Sequence, residues 1–160
     1  MAVGAVRRPM NRSLGGVELT KFGVRPAVER DRDAVWVLVQ QFAVSYQPDR
    51  EHFDAAFSAV LSDDNMVALV AVGDGRTVGY LLANHHQTFF ANAPVAWVEE
   101  VMVAESDRGV GVGRVLMERA EAWAKEAGAA YVALATRRAA EFYGALGYEE
   151  SAAFFRKRLH

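Results

Sequence analysis

The chain has 160 residues, with 18 Lys and Arg against 20 Asp and Glu, a formal net charge of -2. That length suits one domain with a buried core, and 52% apolar residues are the share of a folded protein rather than a disordered one. The charge balance lacks the basic excess of a broad nucleic-acid-binding face, and the absence of cysteine removes disulfides, zinc–thiolate sites and a cysteine nucleophile.

No apolar run approaches the roughly 20 residues that span a bilayer, and residues 1–16 contain no secretory apolar core. The expectation is a cytoplasmic enzyme-sized domain over residues 17–160 behind a poorly ordered tail over residues 1–16, with no membrane and no nucleic-acid partner. A short alternation over residues 17–27 predicts a first strand. Asp31 or Asp33 then caps a helix whose Val35, Leu38, Val39 and Phe42 recur at helical spacing. Pro48 restarts the chain, and Phe53, Phe57, Val60 and Leu61 mark a second helix ending at the turn cluster of residues 62–65.

Two β-rich runs, residues 66–72 and 77–83, flank Gly73, Asp74, Gly75 and Arg76, a hairpin signature. Residues 84–94 read as a strand end running into a surface loop. That loop carries His85 and His86, which are expected at a rim rather than at a shared metal. Phe89 and Phe90 are either an apolar wall of a pocket or loop packing. Residues 95–103 form the next strand. A long helix follows, burying Val112, Leu116, Ala120, Trp123 and Ala127, exposing Glu118, Arg119, Glu121 and Lys125, and stopped by Gly128. Residues 131–135 read as a short strand. A helix through Glu141, Phe142, Tyr143 and Leu146 closes at Gly147, and residues 154–159 read as a final strand. Strand and helix alternate in the later half, so part of the sheet is expected to be parallel.

Between strand and long helix lies Arg108-Gly109-Val110-Gly111-Val112-Gly113, followed by Arg114. Glycines this dense at a helix start let several backbone N–H groups converge where the helix dipole is positive, which suits a phosphate. Gly111 and Gly113 allow close approach, and Arg108 and Arg114 add charge.

This strand, Arg-x-x-Gly-x-Gly turn and helix, followed by Phe142-Tyr143 and Gly147-Tyr148, resemble the GCN5-related N-acetyltransferase superfamily. Its turn, Gln/Arg-x-x-Gly-x-Gly/Ala, is filled in register by Arg108, Gly111 and Gly113. The element order agrees over nearly the whole chain. The resemblance implies an α/β fold: a twisted mixed sheet, mostly antiparallel, with a parallel splayed pair at the cofactor site and helices on both faces. It implies acetyl-CoA as acyl donor, no metal, and direct transfer to a primary amine of a small molecule. A protein or peptide amine, or a regulatory domain that binds acyl-CoA without catalysis, are the alternatives. Family members often dimerise, so a homodimer is an outcome the resemblance allows.

By the same resemblance, the backbone of Val101, Met102 and Val103 pairs with the pantetheine arm, and the turn of Arg108, Gly109, Val110, Gly111, Val112, Gly113 and Arg114 holds the pyrophosphate. Where many members have an asparagine, this chain has Thr136. An attacking ammonium must lose a proton, and Glu99 or Glu100 is the candidate base. Alternation along a strand puts the two on opposite faces, unless a bulge intervenes. Glu99 is favoured as base, with Glu100 a substrate contact or alternate base. Tyr143 matches the family's general acid, against the simpler reading of a packed helical tyrosine. The acceptor pocket is expected from residues 42–57 and 84–97.

Overall fold

The computed structural model describes residues 21–42 and 46–159; the expectations for the tail and for the first residues of the first strand lie outside them. Five strands form one sheet in chain order: β1 (Gly23–Pro26), β2 (Met66–Gly73), β3 (Arg76–His86), β4 (Val95–Val103) and β5 (Val132–Leu134). Neighbours are antiparallel except β4 and β5, which are parallel. Helices α1 (Arg32–Phe42) and α2 (Arg50–Leu61) cover one face, and α3 (Val112–Glu126) covers the other. A short α4 (Ala140–Ala145) follows β5. This is the expected mixed sheet with helices on both faces. No helix among the described residues is long and apolar enough to cross a membrane.

The β2–β3 hairpin turns on two residues. Asp74 at φ 50° and Gly75 at φ 76° are both left-handed, as a type I′ turn demands, while Gly73 pairs with Arg76. The strands' alternation splits the core in two. Leu69, Leu81, Ala83 and Val98 face α3, whereas Val70, Tyr80 and Met102 face α1 and α2. On α3 the fully buried side chains include Leu116 and Met117, each contributing about 1.5–3 kcal/mol by leaving water. Met117 and Ala124 are buried beyond the expected set, while Trp123 and Ala127 are only half-buried.

Three local expectations change. Neither Asp31 nor Asp33 caps α1 by its side chain. Asp31 closes a 3-10 turn, accepts the Val28 N–H at 2.8 Å and takes a bidentate pair from Arg25 at 2.6 and 2.8 Å, while Asp33 accepts from Arg50 on α2 at 2.6 Å. His85 and His86 belong to β3 rather than to a loop, because the ladder runs on to pair them with Ala96 and Val95. Residues 154–159 form no strand and are exposed throughout. Their side chains are held instead by contacts of Phe154 with Trp97 (6.4 Å) and Arg158 with Tyr46 (5.5 Å).

Two consequences can be measured. A Cβ at Gly79 on β3 would lie 2.9 Å from the Met102 carbonyl and 3.2 Å from both Leu116 and Val112. Gly79→Ala should therefore cost about 1–3 kcal/mol in urea unfolding; an unchanged midpoint would mean that α3 does not sit this close to β3. The Arg25 hydrogen bonds hold the Asp31 carboxyl below the usual range against the opposing effect of burial. That contribution is present above about pH 3.9, the unfolded value, and is lost as pH falls through the lower folded value. Asp31 is 7% exposed but Arg25 is 39% exposed, so Asp31→Asn should cost only about 1–2 kcal/mol at pH 7. The gap between the two proteins should narrow below pH 4, and a constant gap would refute the assignment.

Candidate active site

The site is organised by a break in register. Along β3 and β4, Leu82 pairs with Glu100 but Ala83 pairs with Val98, which leaves Glu99 as an extra residue. This is a β-bulge, and it re-aims side chains. Leu82 and Asn84 share a face of β3, so Glu100 opposite Leu82 points to that face. Glu99 joins it, since its Oε1 accepts from Asn84 Nδ2 at 3.0 Å. The expected placement of the two carboxylates on opposite faces is thus overturned: both face α1 and α2 and line one cleft.

That cleft has a volume of about 620 Å³. Its floor is Val98, Glu99, Glu100 and Val101; one wall is Phe42, Tyr46 and Pro48, and another is Thr136, Arg137 and Tyr143. Glu100 accepts from the Tyr80 hydroxyl at 2.6 Å. Burial first, and then the adjacent Glu100 charge and hydrogen bond, push the Tyr80 phenol far up, so it stays protonated and donates. Tyr143 is half-buried, with Phe142 edge-on at 4.9 Å and Tyr148 at 5.9 Å. Burial raises its phenol too.

The cleft opens where the parallel pair parts. β5 pairs with β4 only at Ala96, Trp97 and Val98, while β4 continues to Val103. Ala104 donates to Val78 O on β3 at 2.8 Å. By alternation, the N–H and C=O groups of Val101 and Val103 therefore face the free edge and those of Met102 face β3. The Met102 side chain is core, packed with Val70 and Tyr80.

Beyond this edge comes the glycine turn. Gly109 at φ 76° and Gly111 at φ 97° adopt left-handed backbone, and a Cβ at either position would find nothing within 4 Å. The first backbone bond of α3 runs from Val115 N–H to Gly111 O at 3.1 Å. The amides of Val112, Gly113 and Arg114 consequently lack intrahelical acceptors. Val110 and Arg114 are exposed beside them, whereas the Val112 side chain is buried, so only its amide is available. Gly113 backs onto Phe142, 3.1 Å from where its Cβ would be. Arg108 bends back, donating from Nε to Val103 O at 3.0 Å. Asp107 anchors the turn to the β2–β3 hairpin through Arg76 at 2.9 Å, and Ser106 donates to it at 2.7 Å. Those bonds, Ser106 first, lower the Asp107 carboxyl. Thr136 lines the cleft, and its Oγ1 accepts the Ala139 N–H at 3.1 Å.

Several expected pocket residues lie elsewhere. Phe89 and Phe90 are fully exposed and line no wall of the cleft. His85 packs tilted against Trp123, ring centroids 5.2 Å apart, and His86 is exposed. The side chains that sequence reasoning missed are Tyr80 and Asn84, which hold the two glutamates, Arg137 and Arg138 between β5 and α4, and Arg156 from the C-terminal segment. The signal for the first two was their spacing of four on a strand antiparallel to the glutamates, readable only once the register is known.

Comparison with known proteins places the chain in a family. The chain is 31% identical over 141 residues to an aminoalkylphosphonate N-acetyltransferase of Salmonella typhimurium, covering 85% of this chain and 90% of that protein. It is 29% identical over 136 residues to an aminoglycoside N(6')-acetyltransferase type 1 of Stenotrophomonas maltophilia, covering 80% and 86%. Among solved structures it is similar to AAC(6')-Iy in complex with the bisubstrate analogue CoA-S-monomethyl-acetylneamine, with a TM-score of 0.74, 25% identity, and 86% and 98% of the two chains covered. Residues 32–148 match the acetyltransferase (GNAT) family. The chain belongs to that family and is an acyltransferase.

Proposed function

We propose that this protein transfers an acetyl group from acetyl-CoA directly to a primary amine of a small molecule. The observation that carries the reading is the bulge, which turns two carboxylates into the cleft that Tyr143 of α4 also lines, beside an open strand edge. The names of the two relatives, one for an aminoalkylphosphonate and one for an aminoglycoside, support a small-molecule amine as acceptor.

The residues present fit the donor. The free amides of Val112, Gly113 and Arg114, with Gly109, Val110, Gly111 and Arg108 around them, would take the pyrophosphate. The open edge at Val101 and Val103, next to Met102, would pair with an extended amide-bearing arm, with Thr136 on its other side. When bound, acetyl-CoA supplies an activated acyl carbon and a sulfur leaving group. An N–H on the free edge would polarise the acyl oxygen.

Glu99 is the base. It is exposed in the cleft, and Asn84 fixes only its Oε1. Glu100, held by Tyr80, contacts the ammonium. Glu99 would take the first proton from the ammonium and pass it to solvent, and, free again, would take the second as the N–C bond forms. Tyr143 Oη would give its proton to the sulfur as the C–S bond breaks and be reprotonated from solvent. Burial keeps that phenol protonated and so able to donate.

A thiol-release assay with acetyl-CoA against amines, amino acids, aminoglycosides and peptides tests the reading. Coenzyme binding without thiol release on any amine would make this a binding domain, and a strict preference for peptides would replace the acceptor class. Tyr143→Phe should lower kcat by about 10- to 10³-fold on the preferred acceptor; unchanged turnover would remove Tyr143 from the mechanism. Glu99→Gln should lower kcat by about 10²- to 10⁴-fold, whereas Glu100→Gln should act mainly on the acceptor KM. The reverse pattern would exchange their roles.

A further inference from the structure

The cleft holds charges of both signs that do not neutralise each other. Glu99 and Glu100 take their hydrogen bonds from neutral groups, Asn84 at 3.0 Å and Tyr80 at 2.6 Å. Arg137, Arg138 and Arg156 line the same cleft. Among the described residues none of these three forms an ion pair, whereas Arg25, Arg32, Arg50 and Arg76 each lie on a carboxylate. Arg156 is not a loose end. The C-terminal segment carrying it is tied to β4 by Phe154 against Trp97 and to the cleft wall by Arg158 over Tyr46.

Guanidinium groups recognise phosphonate, phosphate and carboxylate oxygens two at a time. A polycationic acceptor would instead meet three like charges at the same mouth, and repulsion of that kind discriminates between partners. We propose that the acceptor is a small amine that also carries an anionic group, with its ammonium at Glu99 and Glu100 and its anion at Arg137, Arg138 and Arg156. The inference rests on the acyl-transfer reading above and narrows its substrate class.

The test is thiol release by the full chain with acetyl-CoA and five acceptors: 2-aminoethylphosphonate, phosphoethanolamine, β-alanine, propylamine and kanamycin. At least one of the first three should exceed propylamine and kanamycin in kcat/KM by about tenfold or more, and their ranking identifies the anion. Arg156→Gln and the double variant Arg137→Gln/Arg138→Gln should raise KM for that acceptor by about 10- to 100-fold. KM for propylamine and for acetyl-CoA should stay near the parent values. All three arginines are exposed, and an unchanged melting temperature shows that the variants are folded. Preference for propylamine or kanamycin would overturn the inference. So would variants that raise the acetyl-CoA KM and leave the acceptor KM alone, since the arginines would then serve the donor. Thiol release with none of the five or any other amine would overturn the acyl-transfer reading itself, and this inference with it.

Discussion

The rest of the site depends on one surplus residue in β4. Without the bulge at Glu99, alternation would send one carboxylate toward α3 and its apolar core, where an unpaired charge is costly. With it, both turn to the face bearing Tyr80 and Asn84, and each finds its own donor there. The bulge falls immediately after Val98, the last residue of β4 that pairs with β5. Bulged strands bend and twist more strongly. The carboxylates and the open backbone edge are therefore neighbours because one irregularity precedes both.

The glycine turn must stand in a fixed relation to that edge, and two features fix it. Gly79 lets α3 sit directly on β3, where any side chain would meet the Met102 carbonyl. Asp107, one residue before Arg108, is held by Arg76 from the hairpin. The turn of that hairpin is set by its two left-handed residues, Asp74 and Gly75. Arg108 then commits its Nε to the Val103 carbonyl, which faces the free edge. Turn, edge and carboxylates thus form one unit, braced from β2 to α3.

Much of this unit is legible in the sequence because its parts have local causes. The left-handed turn at Asp74 and Gly75 and the glycine entry to α3 leave fixed residue types at fixed spacings. The helical period of α3 does likewise, though the stripe that buries Met117 and Ala124 is displaced from the one expected. The bulge is not legible, because one extra polar residue in a strand changes no composition and only slips the period of two. Tyr80 and Asn84 were hidden for the same reason: on β3 they look like ordinary strand residues until the register brings Tyr80 within reach of Glu100 and Asn84 within reach of Glu99. Residues 154–159, two aromatics followed by basic residues and a leucine, read as a strand, yet no neighbour among the described residues pairs with them. Their apolar and basic side chains reach the cleft region instead, through Phe154, Arg156 and Arg158.

The contrast between legible and hidden parts follows the two halves of the cleft. On the function proposed above, the donor half would be built from backbone: the amides at the head of α3 and the peptide groups of Val101 and Val103. Backbone groups impose their demands on the chain as glycines and as strand pattern, so the sequence carries their mark. The acceptor half would be built from side chains at the ends of elements, namely Phe42 at the end of α1, Tyr46 and Pro48 in the link to α2, Arg137 and Arg138 between β5 and α4, and Arg156 beyond them, all of which line the cleft. Such positions carry little of the core, and a substitution there costs little stability. They are free to change charge and size while the sheet, the bulge and the turn stay fixed. On the proposed function such an arrangement would let the amine change independently of the acyl donor, and relatives named for an aminoalkylphosphonate and for an aminoglycoside both align over most of this chain.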